Sequence, residues 1–237
     1  MEEEDKDKGL SRQEIEGIMA SLLEQERGIE RDSELICGAV MLAEEDAKAR
    51  KYRRIREYAV LVRDILESNR EIDEEVALEV LTRMIDVVEL TAYSHLLRDL
   101  LARLIVISHR YGVDMEDYRH EAETLVKLDI LLEPNELREP EDELQSVLAS
   151  MFTSQQLLNL IANPTIGHLK CDPVEYTWEW EYIFYDVADE LDAIFAGERR
   201  GMGFCFRYWS KKKELLKKKY GINWRTPHEM NPRVMFD

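Results

Sequence analysis

The sequence predicts an all-α protein: a multi-helix bundle of long amphipathic helices, followed by a smaller C-terminal helical module ending in an extended tail. Three observations carry that expectation. Apolar residues recur at steps of three and four along almost the whole chain, the period of one helix face. Only 10 glycines and 6 prolines occur in 237 residues, and no proline precedes Pro134, so few breaks are forced. Charged residues make up 35% of the chain beside a 45% hydrophobic fraction, the balance of helices with apolar inner and salt-bridged outer faces.

Residues 1–10 are acidic and nearly free of apolar side chains, which predicts a disordered N-terminus. Ser11 and Glu14 then form a capping box that opens a helix with Ile15, Ile18, Leu22 and Leu23 inward. A second helix is expected from about Asp32 through Leu35, Ala39, Leu42 and Ala43. It is expected to continue, with a kink, into Ile55, Ala59, Val62, Ile65 and Leu66. Its middle is a basic girdle of Lys48, Arg50, Lys51, Arg53, Arg54 and Arg56. Ser68–Asn69 reads as a break. Asp73 next caps a run expected to last from Glu74 to about Tyr111, with Val76, Val80, Met84, Val87, Leu90, Leu97, Leu101 and Leu104 on one stripe. Leu96, Leu100, Ile105 and Ile107 widen that stripe, so residues 84–107 are expected to make contact on two sides. Gly112 ends the run, and a further helix from Asp114 reaches Leu132, completing an N-terminal bundle over residues 11–132.

Residues 133–143, EPNELREPEDE, are polar and contain both Pro134 and Pro140, which marks a linker. The C-terminal module, 144–237, starts with a short helix, Leu144 to Met151. A second capping box, Thr153 with Gln156, opens a helix that stops at Asn163–Pro164. Asp172-Pro173-Val174-Glu175 is the clearest helix start in the chain: a capping carboxylate, proline at the first helical position and a glutamate to close the box. The helix that follows carries Trp180, Phe184, Val187, Leu191 and Ile194. Gly197 ends it, Gly201 and Gly203 flank Met202, and a last helix runs from about Phe204 to Tyr220 before Gly221. The remainder holds Trp224, Val234, Met235 and Phe236, too much apolar surface to leave in water, and is expected to pack along the body.

Charge divides the chain. The formal net charge is −18, yet residues 197–237 hold 11 Lys/Arg against 4 Asp/Glu, while residues 1–196 hold 21 against 46. The overall sign argues against general binding to nucleic acid or to an anionic membrane. The basic end is expected to dock on an acidic surface: the protein's own, another copy's, or a partner's. The first residues do not resemble a secretory signal, and no apolar run reaches the ~18–20 residues that span a bilayer. Cys37, Cys171 and Cys205 are odd in number and widely spaced, which suits reduced thiols in a cytoplasmic protein.

Motifs for chemistry are incomplete. Gly201 and Gly203 follow a helix and lack a third glycine, so neither phosphate-loop nor dinucleotide fingerprints are met. His168 and Cys171 have ligand-like spacing, but Cys205 and His228 stand alone and do not supply a second close pair. No G-x-S-x-G elbow occurs, and His95 reads as a satisfied interior histidine. No catalytic residue, metal or cofactor is therefore expected.

The expectation is a non-enzymatic helical protein that works by protein–protein interaction in an adaptor, regulatory or assembly role, with homo-oligomerisation plausible and no membrane contact. The contact surface is expected on the basic last helix and tail: Arg199, Arg200, Arg207, Tyr208, Lys211, Lys212, Lys213, Lys217 and Lys218, with Trp224 and Arg225. A nucleic-acid-associated protein using the patch 199–219 is the alternative. A second alternative is a small-ligand or phosphate-binding enzyme with a pocket formed by His168, Glu175, Trp178, Glu179, Tyr182, Gly201 and Gly203.

Overall fold

The computed structural model describes residues 10–88, 90, 92–132 and 142–236. Of the expected disordered N-terminus, 1–10, and the expected linker, 133–143, residues 1–9 and 133–141 lie outside the described residues; Leu10 is exposed, and residues 142–143 are not linker but the first turn of a helix that begins at Asp142. The architecture is all-α, with eleven α-helices and no strand among the described residues. The chain forms two compact units, Met1–Val88 and Glu89–Asp237.

The first unit contains α1 (Arg12–Leu23), α2 (Ile29–Lys48), α3 (Tyr52–Ser68) and α4 (Glu74–Val87). The Ser11–Glu14 capping box is formed as the sequence predicts. Helix α2 is central, packing against the other three, so its apolar residues are buried nearly all round: Leu35, Ile36, Ala39, Val40, Leu42 and Ala43. Gly38 lets α1 approach closely, since a Cβ there would sit 3.0 Å from Met19 Cγ. Ile18 and Leu23, expected inward, are exposed; Ile15, Met19 and Leu22 form the buried row instead.

The predicted kinked continuation of α2 into α3 is a full break. Arg50 adopts a left-handed φ of 57°, and Lys51 N–H bonds back to the Asp46 carbonyl at 2.7 Å. Burial explains the turn. A single rod would be about 60 Å long and would carry the Ile55–Leu66 stripe away from α2. The hairpin instead folds it back, with Arg54 near Asp46 at one end and Asn69 Nδ2 donating to Asp32 at 3.0 Å at the other.

A polar cluster fastens α1 to this hairpin. Arg12 Nη1 and Nη2 donate to the two carboxylate oxygens of Asp46 at 2.8 and 3.1 Å, and Nε donates to Glu16 at 2.8 Å. Asp46 is fully buried, and Tyr58 Oη lies 3.3 Å from Arg12 Nη2.

The expected long helix 74–111 is two helices, α4 and α5 (Ser94–Tyr111), and the unit boundary falls between them. The apolar excess at 84–107 is therefore not one two-sided surface: Met84 belongs to the first core and Leu96–Ile107 to the second. The break follows from a cap the local sequence does not contain. Tyr93 offers no side-chain cap, and the buried carboxylate of Glu181 accepts from the His95 N–H instead.

In the second unit α5 packs against α6 (Arg119–Leu132) and α7 (Asp142–Met151), and α6 in turn against α8 (Ser154–Ala162). Further along lie α9 (Trp178–Ile194), α10 (Phe204–Leu215), which widens into a π-helical turn over Leu216–Tyr220, and the short α11 (Pro227–Met230). The Asp172–Glu175 capping box closes on a 3-10 turn, Pro173–Tyr176, while α9 starts under a separate cap, Thr177. Trp180, Val187, Leu191, Leu215, Leu216, Ile222 and Trp224 make one core cluster. The tail packs only in part: Ile222 and Trp224 are buried and Phe236 meets Trp209 edge-on, whereas Val234 and Met235, expected to leave water, are exposed. It is not simply extended, because Thr226 and Glu229 box α11.

Candidate functional site

Gly203 starts α10 in a left-handed conformation (φ 76°), which explains a glycine immediately before the helix. From there α10 turns Leu215 and Leu216 into the core. One turn earlier, Lys212 follows them inward. Its ammonium lies 4.6 Å from the ring centroid of Trp180, 4.9 Å from that of Trp224 and 5.3 Å from that of Phe184. Three aromatic faces around one cation hold it by their quadrupoles. Glu175 completes the enclosure, its Oε1 accepting from Trp224 Nε1 at 2.8 Å.

Burial raises the Glu175 carboxyl above its ordinary 4.5, against the opposing pull of the Trp224 hydrogen bond and the Lys212 charge. A carboxyl whose folded pKa is raised binds its proton more tightly in the native state, so stability falls as pH rises through the window above 4.5. Glu175→Gln keeps an acceptor for Trp224 and lacks that titration. Urea unfolding at a series of pH values is expected to show wild type losing stability relative to the variant as pH rises out of the acid range.

The outer cations of this region are largely engaged by carboxylates of the same unit. Arg207 meets Glu198 at 2.9 Å, Lys211 meets Glu214 at 2.9 Å, Lys213 meets Glu229 at 2.6 Å and Lys219 meets Glu190 at 2.7 Å. Arg200 pairs with Asp192 at 3.0 Å, and Arg225 with Asp172 at 2.9 Å. Arg199, Lys217 and Lys218 are exposed. Apart from Arg225, whose partner Asp172 is buried, these pairs are exposed and worth about 0–1 kcal/mol each, so exchanging one carboxylate for another costs little.

Three residues expected to meet a partner turn inward: Trp224 is in the core, Lys212 is caged, and Tyr208 rests half-buried against Phe195 and Phe204. What remains outward on α10 is a stripe of Phe206, Arg207, Ser210, Glu214, Lys217 and Lys218. Beside it lies an open groove of about 460 Å³ lined by Ile194, Phe195, Phe206, Arg207, Ser210, Lys211 and Glu214. Ile194 and Phe206 supply exposed apolar surface there.

The residues of the second, small-ligand alternative are not brought together. Trp178 starts α9 and Gly201 and Gly203 follow its far end, about 25 Å away along the helix axis. Trp178 stacks on His95 with ring centroids 3.8 Å apart, and Glu175 faces Trp224. His168, Glu179 and Tyr182 are exposed. His95 is indeed interior, with Nε2 3.2 Å from the Tyr176 carbonyl. Sequence reasoning missed Glu181, a buried carboxylate within the run TWEWEYIFY, whose only signal was its place among aromatics. Burial pushes the Cys171 thiol above its ordinary value, away from a reactive thiolate. Among the described residues no three His, Cys, Asp or Glu side chains converge on a metal site, and no helix is long and apolar enough to cross a membrane. No protein-family model, curated protein or solved structure matches this chain.

Proposed function

We propose that this is a non-enzymatic interaction protein whose C-terminal helix docks a protein partner. The observation that supports it is the groove beside α10, whose lining joins the apolar Ile194, Phe195 and Phe206 with the cations Arg207 and Lys211. That arrangement suits a partner segment carrying apolar side chains flanked by carboxylates, which replace Glu198 and Glu214 on the same cations. Apolar contact supplies affinity, and the cations supply orientation and encounter rate.

The nucleic-acid reading draws less support. Sequence-tolerant binding of single strands needs exposed aromatic faces between free cations, whereas Tyr208 and Trp209 are half-buried and most cations of the patch already have carboxylate partners.

A photo-crosslinking residue in place of Ser210, in the full chain and in cell extract, tests the proposal. The expected product is a discrete protein adduct, insensitive to nuclease and lost with Phe206→Asp or with Arg207→Glu/Lys211→Glu. Adducts that vanish on nuclease treatment, or that persist in both variants, refute it.

A further inference from the structure

We propose that Phe206, Trp209 and His228 form a docking site for an aromatic side chain, filled here by the chain's own Phe236, and that a partner's aromatic residue enters it in exchange. The three rings are held without the fourth. Trp209 packs against the core cluster of the unit. His228 stands on α11, whose Thr226–Glu229 capping box is tied to α10: Lys213 Nζ donates to both Glu229 carboxylate oxygens, at 2.6 and 2.8 Å. Phe206 meets both rings, 5.5 Å from Trp209 and 5.6 Å from His228, at interplanar angles of 79° and 78°. Phe236 closes the circuit, 5.1 Å from Trp209 and 6.2 Å from His228, at 88° and 84°. Each ring therefore meets two others edge to face, an arrangement the ring quadrupole favours. An aliphatic side chain has no positive edge to set against a negative face, so the position selects a ring.

Phe236 is held there by little else. The segment has a firm hinge: the Asn231 side chain accepts from the Lys170 N–H at 2.9 Å and donates to the carbonyls of Lys170 and Pro227 at 2.9 and 3.0 Å. Among the described residues the last backbone hydrogen bond runs from the Val234 N–H to the Asn231 carbonyl, at 3.0 Å. Past the hinge Pro232, Arg233, Val234 and Met235 are exposed, Met235 by 97%. One half-buried ring is thus the main anchor of residues 232–236, set against the backbone freedom of the whole segment. Such a strap opens readily on its hinge. Opening uncovers Trp209 next to Phe206, and Phe206 also lines the groove with Ile194 and Ser210. The exchange rests on the docking reading of that groove and specifies it: the partner segment sets a ring on Trp209 and continues over Phe206. Phe236 limits that docking, because a tethered side chain competes at an effective concentration of about millimolar.

The full chain and its Phe236→Ala variant test this, first without a partner. The probe is the peptide NPRVMFD, residues 231–237, with para-fluorophenylalanine at its Phe, followed by fluorine NMR. It is expected to bind Phe236→Ala with a Kd of roughly 1 mM, and wild type at least about threefold more weakly, because the site is already filled. Adding Phe206→Ala to the variant is expected to abolish binding. Unlabelled NPRVMFD is expected to displace the probe, and NPRVMLD is not. With the crosslinking residue at Ser210, Phe236→Ala is expected to raise the yield of the protein adduct at least about twofold. No binding to Phe236→Ala, equal affinity for the two chains, or equal displacement by the leucine peptide overturns the proposal. So does an adduct yield that is unchanged or lower in Phe236→Ala. Absence of any adduct from both chains refutes the docking reading, and the peptide affinities then decide by themselves whether the site exchanges rings.

Discussion

Replacing Arg12 with methionine is expected to destabilise the first unit by about 3–5 kcal/mol, the range for removing one partner of a buried ion pair. The cost arises at Asp46. Its side chain is fully buried and receives two hydrogen bonds from Arg12, while Arg54 stands farther off, at 3.8 Å. Methionine occupies a similar volume and takes both of those bonds away, leaving a desolvated carboxylate. Lysine retains charge but not the forked geometry and is expected to fall between. The converse change, Asp46→Leu, is expected to cost less, because Arg12 is partly exposed and keeps Glu16 at 2.8 Å and Glu45 at 3.5 Å. The double variant Arg12→Met/Asp46→Leu should recover much of the loss, since an apolar pair in the same space carries no desolvation penalty. Urea unfolding followed by circular dichroism measures the four corners of this cycle, and hydrogen exchange across residues 12–23 locates the effect in α1. Equal losses for the two single variants with no recovery in the double would mean that the pair is not coupled.

Helix existence was legible in the sequence because it depends on periodicity and caps, both local. Ser11–Glu14, Thr153–Gln156 and the stripes of Ile55–Leu66 and Trp180–Leu191 all appear where the residues place them. Helix continuity was not legible, because it depends on groups distant in sequence. The turn at Arg50 exists because α3 packs on α2, and α5 begins at Ser94 because a carboxylate 86 residues away receives an N–H there. Charge asymmetry marks the C-terminal region as basic, but composition cannot say which way a lysine points. Lys212 and Lys217 are the same residue five positions apart; one is enclosed by Trp180, Phe184 and Trp224, and the other faces solvent. The aromatics that decide this lie on α9 and the tail, and only the fold brings them to α10.

Glu181 sets the second large effect. The first turn of any helix leaves N–H groups without intrahelical acceptors, and at α5 that turn is buried: Ser94 and His95 are both in the core. Glu181 places a carboxylate at this positive helix end and accepts from the His95 N–H. Glu181→Leu removes acceptor and charge together and leaves the donor desolvated. A buried unsatisfied donor costs about 1–3 kcal/mol and the lost charge–dipole attraction up to ~2 kcal/mol, so a loss of about 2–4 kcal/mol is expected. Glu181→Gln retains an amide oxygen for the same N–H and gives up only the charge, so its loss should be about half as large. All four tryptophans of the chain, Trp178, Trp180, Trp209 and Trp224, lie in this unit, and Trp178 stacks directly on His95. Tryptophan fluorescence in urea therefore reads the unit and the capped turn at once. If glutamine and leucine cost the same, the acceptor is not what Glu181 supplies, and the negative charge at the helix end, which both variants lack, is the remaining contribution. If both are neutral, α5 finds its start without the carboxylate, and the break after Val87 needs a different cause.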